Sequence, residues 1–290
     1  MSQSVATPVG LRRRSGALAV LLTFFLPVAG FAYVRQLRWG IALILAAPVV
    51  MFMGGRLGMP ATTRGYYVFG CLLLVVILAS LVLAFRFARA LPVGAAPRWY
   101  NRWYHYIWLA LLGVLVSNLM MSHRGALFGY ENFRIPSANM QPTIAVGDFI
   151  TVDTRNSTMA TIERGDIVTY VPRRHPDQTW IARVVGLPGE TIVAKDNTAE
   201  INGKRLTETY LAASQPDDAH PIPFERTTLG ASEYFLMGDN RPNADDSRYQ
   251  GPVDRNALGG KARAIWFSYS PFTRSIDTAR IGTLPIAHAK

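Results

Sequence analysis

The sequence predicts a multi-span α-helical membrane region followed by a mostly β domain, and two observations carry that expectation. The first is where the charges fall. Up to Tyr130 the chain has twelve basic residues, all Arg, and no Asp or Glu, which leaves 30 − 12 = 18 basic and all 19 acidic residues to the rest. The formal net charge of +11 therefore belongs to the first half. The second is texture. Before Tyr130 the arginines separate long uncharged apolar runs; beyond it, short alternating or β-branched runs are separated by Gly, Pro, Asn and Asp.

In the membrane region, residues 1–123, the uncharged runs are 15–34, 39–55, 65–85 and 103–122. Each is close to the ~20 apolar residues a helix needs to cross the hydrocarbon core. About four spans are expected, the second being short and carrying Pro48. The arginines only punctuate these runs, which places them at lipid headgroups and excludes a nucleic-acid patch. The first run has the basic start and apolar middle of a cleavable signal, but its length and the runs that follow favour a retained anchor. Arginine bias mildly puts the Arg86–Arg102 connection in the cytoplasm, so the last span runs outward and the second half lies outside. Four full spans would then put "RRR", Arg12–Arg14, outside as well, against that bias; a re-entrant first segment removes the conflict. Cys71 is the lone cysteine, so no intramolecular disulfide is available and a packing role is expected.

Residues 124–290 read as one β domain. Candidate strands are "DFITVD", "DIVTYV", "IARVVGL", "TIVAKD", "AEING", "EYFLMG" and "ARAIWFSY". "KDNTAEINGKRL" reads as a hairpin followed by an "NG" turn. Three loops stand out. "IPSANMQPT" sets small and polar residues between two prolines, "GLPGE" closes a strand tightly, and "MGDNRPNADDSR" packs Asp239, Arg241, Asp245, Asp246 and Arg248 together. On spacing alone the last reads first as a turn held through Asx bonds and an Asp–Arg pair. A metal site is not expected there, since the arginines compete for the carboxylates. No cofactor is expected.

Taken in order, these loops resemble the type I signal peptidases, membrane-anchored serine proteases that release exported proteins. "IPSANMQPTIAVGDF" resembles the family's nucleophile loop P-S-x-S-M-x-P-T-L, and "RGDIVTY" its R-G-D-I-V-x-F strand. "ARVVGLPGE" is similar to K-R-x-x-G-L-P-G-D, and "GDNRPNADDSRYQG" to G-D-N-R-D-N-S-x-D-S-R-x-W-G. The resemblance implies a signal-peptidase-type β domain on the extracytoplasmic side of a bacterial-type inner membrane, in a multi-pass chain. It also implies a Ser–Lys dyad, in which the Ser attacks the scissile carbonyl and a desolvated Lys takes its proton.

Carried over position by position, the frame is present: Ser137 at the oxyanion-binding serine, then Met140, Pro142, Arg183, Gly186, Pro188, Gly189, Asp239, Asn240, Arg241, Asp246 and Arg248. The proton-handling residues are not. Asn139 stands at the nucleophile, Ala182 at the general base, Ala244 at the Lys-orienting serine, and Pro242 replaces the Asp after Asn-Arg. A carboxamide is a poor nucleophile and alanine offers no base. Losing nucleophile or base in a serine protease costs on the order of 10⁶ in turnover, roughly 8–9 kcal/mol.

A pseudoenzyme that binds signal peptides of exported proteins, or another membrane protein, is therefore expected, with membrane lipid around its spans. An active signal peptidase with a non-standard residue set, such as Ser137 with His175, is the alternative. A membrane structural or assembly protein with a docking β domain is a third. Lys195, Lys204 and Lys261 read as solvated surface lysines rather than substitute bases.

Overall fold

The structure is a computed structural model that describes residues 14–93, 98–195, 198–211 and 226–284. Arg12, Arg13 and the Asp196–Asn197 turn of the expected hairpin lie outside the described residues. The chain divides into two compact units, one holding the residues up to Leu57 with Tyr67–Phe128, the other Gly58–Tyr66 with the chain from Gly129 onward.

The helical unit contains α1 (Gly16–Phe25), α2 (Pro27–Tyr33), α3 (Leu37–Arg56), α4 (Thr63–Ala90, its first turn shared with the other unit) and α5 (Trp103–Ser122). The last three are long and apolar enough to cross a membrane, and α5 has no buried residue at all. Apolar side chains facing outward on every side suit a helix surrounded by lipid.

The run 15–34 differs from the single span expected of it. Pro27 lacks an N–H and pushes Leu26 out of the helical region, to φ −141° and ψ 79°, so α1 stops and α2 begins. At ~1.5 Å per residue, α1 is about half the ~30 Å of a hydrocarbon core. The two helices fold back on each other: a Cβ on Gly30 would lie 2.5 Å from Thr23 Cα, so only glycine permits the approach. The backbone N–H of Ser15 donates to the Tyr33 hydroxyl at 3.0 Å, and Arg14 donates to the Tyr33 carbonyl. Both ends of the pair therefore meet at one place, as in a re-entrant hairpin.

The second unit is built on strands β1 (Tyr130–Arg134), β2 (Asp148–Asp153), β3 (Ile167–Tyr170), β4 (Trp180–Gly186), β5 (Thr191–Lys195), β6 (Thr198–Ile201), β7 (Lys204–Arg205), β8 (Thr227–Thr228), β9 (Glu233–Met237), β10 (Val253–Asp254), β11 (Leu258–Ser270), β12 (Ser275–Ile276) and β13 (Gly282–Thr283). The larger sheet runs β1-β2-β11-β3-β4-β9-β10, with β12 and β13 also on β11, and the smaller runs β7-β6-β5-β8. The long β11 shifts register twice against β2, which bends the sheet. All seven expected strands are present within a few residues of their expected bounds. The strand Tyr130–Arg134 was not among them. At the Asn202-Gly203 turn both residues have positive φ, 51° and 77°, the conformation that "NG" favours.

Alternation along β3, β4 and β9 sorts side chains onto two faces. Val168, Tyr170, Ala182, Val184, Tyr234 and Leu236 form one buried cluster. Ile167 and Ile181 join Ile135, Met140, Ile144 and Ile150 in another. The segment Gly58–Tyr66 belongs to this unit: Tyr66 stacks on Trp266 at 5.0 Å between centroids and its hydroxyl accepts from Asn132 Nδ2 at 3.3 Å.

Candidate active site

The loop between β1 and β2 is fixed from below by apolar anchors and from the side by backbone bonds. Ile135, Met140 and Ile144 are buried in the core, so the residues between them must arch outward. The carbonyl of Asn139 accepts from Asn240 N–H and that of Ala138 from Asn240 Nδ2, both at 3.0 Å. Arg280 holds the far end through Asp148, at 2.7 Å, and the carbonyls of Pro142 and Thr143. The Gln141–Pro142 peptide is cis.

Within this loop the polar side chains satisfy each other. Ser137 Oγ donates to Asn139 Oδ1 at 2.7 Å, and Asn139 Nδ2 donates to the Ile181 carbonyl at 2.7 Å. The hydroxyl expected to bind an oxyanion is turned onto the carboxamide beside it. That carboxamide in turn closes onto the strand residue just before Ala182.

Two of the three positions expected to carry replacements, Asn139 and Ala244, meet at Gly238. A Cβ there would lie 2.4 Å from Ala244 Cβ and 2.6 Å from the Asn139 carbonyl oxygen. Arg183, next to Ala182, pairs with Met237, the residue before Gly238. Ala182 and Ala244 are 1% and 4% exposed, and the former lies among Val168, Tyr170, Val184, Tyr234 and Leu236. Such an apolar setting would lower the pKa of an amine placed there, yet no amine is there.

Below the site runs a charged frame. Arg183 and Asp239, both wholly buried, make a two-pronged pair at 2.8 and 2.6 Å; Arg183 also donates to the Gly165 carbonyl, and Thr143 Oγ1 donates to Asp239 at 2.5 Å. The Arg183 guanidinium lies 4.0 Å over the Tyr210 ring. Arg241 pairs with Glu208 and donates to the Gly238 carbonyl. Burial pulls the Arg241 pKa down, but the hydrogen bond and charge of Glu208 outweigh it and hold the group above its ordinary value. Burial and then Glu208 push the Tyr210 hydroxyl up. Asp246 caps the short helix Ser247–Gln250, accepts from Gly238 N–H at 3.0 Å and pairs with Arg248 at 2.8 Å.

Over this frame lies a groove of about 560 Å³, lined by the extended segments 133–137 and 178–181 with Asn139, Ile150, Asn243 and Asp245. Arg134 and Asp245 are its charged members, and among the described residues neither Lys nor His lines it. His175 is exposed and stacks on Trp180 at 5.5 Å, with no bond to Ser137. Lys204 is exposed, and the Lys195 side chain lies outside the described residues. Lys261 corrects the expectation of a solvated lysine: it is 5% exposed, 2.6 Å from Asp166 and donates to the Thr161 carbonyl. It is a structural cation, already committed. Glu208, Tyr210 and Thr143, which complete the frame, were not singled out from the sequence. The "GDNR" loop does hold Asp–Arg pairing, and among the described residues no group of three or more His, Cys, Asp or Glu could hold a metal ion.

Residues 104–267 match the family model of the signal peptidases, peptidase S26. The chain is 30% identical to a probable signal peptidase I-2 of Synechocystis, over 61% of this chain and 77% of that protein. It is 31% identical to the signal peptidase I of Pseudomonas aeruginosa, over 49% of this chain and 66% of that one. A crystal structure of a signal peptidase I from Enterococcus faecalis matches with 34% identity over 35% of this chain and 96% of that chain, at a TM-score of 0.31.

Proposed function

This chain belongs to the signal peptidase family, peptidase S26, whose members remove signal peptides from exported proteins, and from that premise we propose that it binds such substrates without cutting them. The observation that carries the proposal is the Asn139 carboxamide, bonded at once to Ser137 and to the Ile181 carbonyl in a groove that, among the described residues, holds no Lys or His. Every group that would move a proton is replaced by one that cannot. The groove and its buried frame are kept, and the edge strand β1 offers main-chain groups to an extended peptide by β-addition.

The membrane setting is proposed on the same footing. α3, α4 and α5 cross the inner membrane, the α1–α2 pair enters and returns, and the β domain lies on the extracytoplasmic side. One contact supports this: Tyr100 Oη donates to the Arg35 carbonyl at 3.1 Å, which groups the α2–α3 and α4–α5 connections at one end of the helical unit. The first end then carries Arg14, Arg35, Arg38, Arg86, Arg89, Arg98 and Arg102, the other Arg56, Arg64 and Arg124. That is the bias the positive-inside rule requires.

The test is to incubate the detergent-solubilised chain with a preprotein bearing an Ala-x-Ala site, and separately to place a photo-crosslinker at Asn243. No mature product and capture of the signal peptide are expected. Cleavage that Ser137→Ala abolishes would show an active enzyme with a non-standard residue set. Silence without capture would leave the groove as a docking element of an assembly protein.

A further inference from the structure

From a second pocket, in the helical unit and remote in sequence from the groove, we infer a binding site for a phosphate group. Arg35, Arg38 and Arg98, with Gln36, Leu37 and Tyr100, line a cavity of about 280 Å³. The turn carrying Arg98 is fastened there: Tyr100 Oη donates to the Arg35 carbonyl at 3.1 Å and Asn101 Nδ2 to the Ala32 carbonyl at 2.7 Å. Three arginines thus line one cavity, in a chain whose first 130 residues contain no carboxylate side chain to pair with them.

Arg35 carries the argument further. Gln36 N–H donates to the Phe31 carbonyl and Arg35 N–H to that of Ala32, which is the bond pattern of a helix end whose left-handed position ordinarily takes glycine. Arg35 occupies that position with φ 62°. Its Nε is buried with no hydrogen-bond partner. A charged donor held in a costly backbone conformation, without an acceptor and beside two like charges, is compensated by an anion.

The chemistry of the cavity selects the anion. One guanidinium fork already saturates a carboxylate, whereas three forks around one cavity match the several oxygens of a tetrahedral phosphate. The setting selects it too. Trp99 and Trp103, 71% and 74% exposed, flank the same turn as interfacial aromatic residues do, which puts the pocket at headgroup depth. Basic pockets between helices at that level take anionic headgroups. Two sources share this chemistry, an anionic phospholipid and a soluble phosphate ester.

The test uses the full chain in neutral detergent and in nanodiscs of phosphatidylcholine with or without phosphatidylglycerol. Retained lipid is read by native mass spectrometry, and melting is followed during titration with inorganic phosphate and glycerol 3-phosphate. The variants are Arg35→Gly, which the left-handed position accepts without strain, Arg98→Gln, and both together; Arg64→Gln serves as a control. The wild type is expected to retain phosphatidylglycerol, or to be shifted by the soluble phosphates, and which of the two does so identifies the source. Each pocket variant should weaken that binding roughly tenfold, and Arg64→Gln should not. Well-folded double variant that binds both probes as tightly as the wild type, or a wild type that binds neither, overturns the site.

Discussion

At the scale of single residues the proposed silence rests on a few side chains in a well-packed setting. Asn139 satisfies its carboxamide internally, through Ser137 and Ile181, so the loop is held without the nucleophile it resembles. Ala182 and Ala244 are small and buried, and Gly238 has no room for a Cβ against Ala244 and the Asn139 carbonyl. The triple change Asn139→Ser, Ala182→Lys and Ala244→Ser should therefore create preprotein cleavage. The introduced Lys would be desolvated beside Val168, Val184 and Leu236, with its pKa drawn down toward that of a usable base. A rate at least ~10²-fold above the wild-type background is expected, the low end of what a general base contributes. A correctly folded triple variant with no cleavage would mean that the groove has lost more than its dyad. The positions expected to be replaced could be named from sequence because each lies inside a contiguous motif. The state of Lys261 was not, because its partner Asp166 is close only after β3 and β11 pair.

At the scale of elements, buried ion pairs tie the loops to the sheet. Arg183 on β4 and Asp239 after β9 are both fully buried, so removing one charge strands the other. Asp239→Asn should lower the melting temperature in proportion to a cost of about 3–5 kcal/mol, whereas replacing both partners by apolar residues of similar volume should recover much of it. Equal melting of the single variant and the wild type would contradict this. A second pair has a pH signature. Burial pushes the Asp153 carboxyl up, but the hydrogen bonds from the Arg155 side chain and backbone and from Thr158 outweigh that, and the group is held below its ordinary 3.8. A depressed folded pKa means the stabilisation is fully present above about pH 4 and lost as pH falls through the folded value. Asp153→Asn should thus separate from the wild type in melting temperature at pH 7, with the gap closing toward pH 3. A gap that stays constant across that range would count against the pairing.

At the scale of the whole molecule, the proposed topology turns on the α1–α2 pair. With Cys71 replaced by Ala, cysteines introduced at Leu57 and Trp99, 73% and 71% exposed, should behave oppositely toward a membrane-impermeant thiol reagent applied to intact spheroplasts. Leu57→Cys should label, and Trp99→Cys only after lysis, with an N-terminal epitope also protected until lysis. An exposed epitope would restore a full first span. The sequence by itself determined the two-part plan, because charge exclusion from apolar runs and strand alternation are local, periodic properties of the chain. It also carried the loops that resemble the family's, and with them the expectation that the proton-handling residues are replaced, because those loops are short contiguous motifs. The tertiary structure alone decided that Asn139 closes onto Ile181, that Glu208 and Tyr210 complete the buried frame, that Lys261 is a buried cation, and that run 15–34 turns back at Pro27. Each of these depends on residues far apart in the chain, or on a helix packing against its neighbour. A pattern read along the sequence has no access to contacts that exist only after folding.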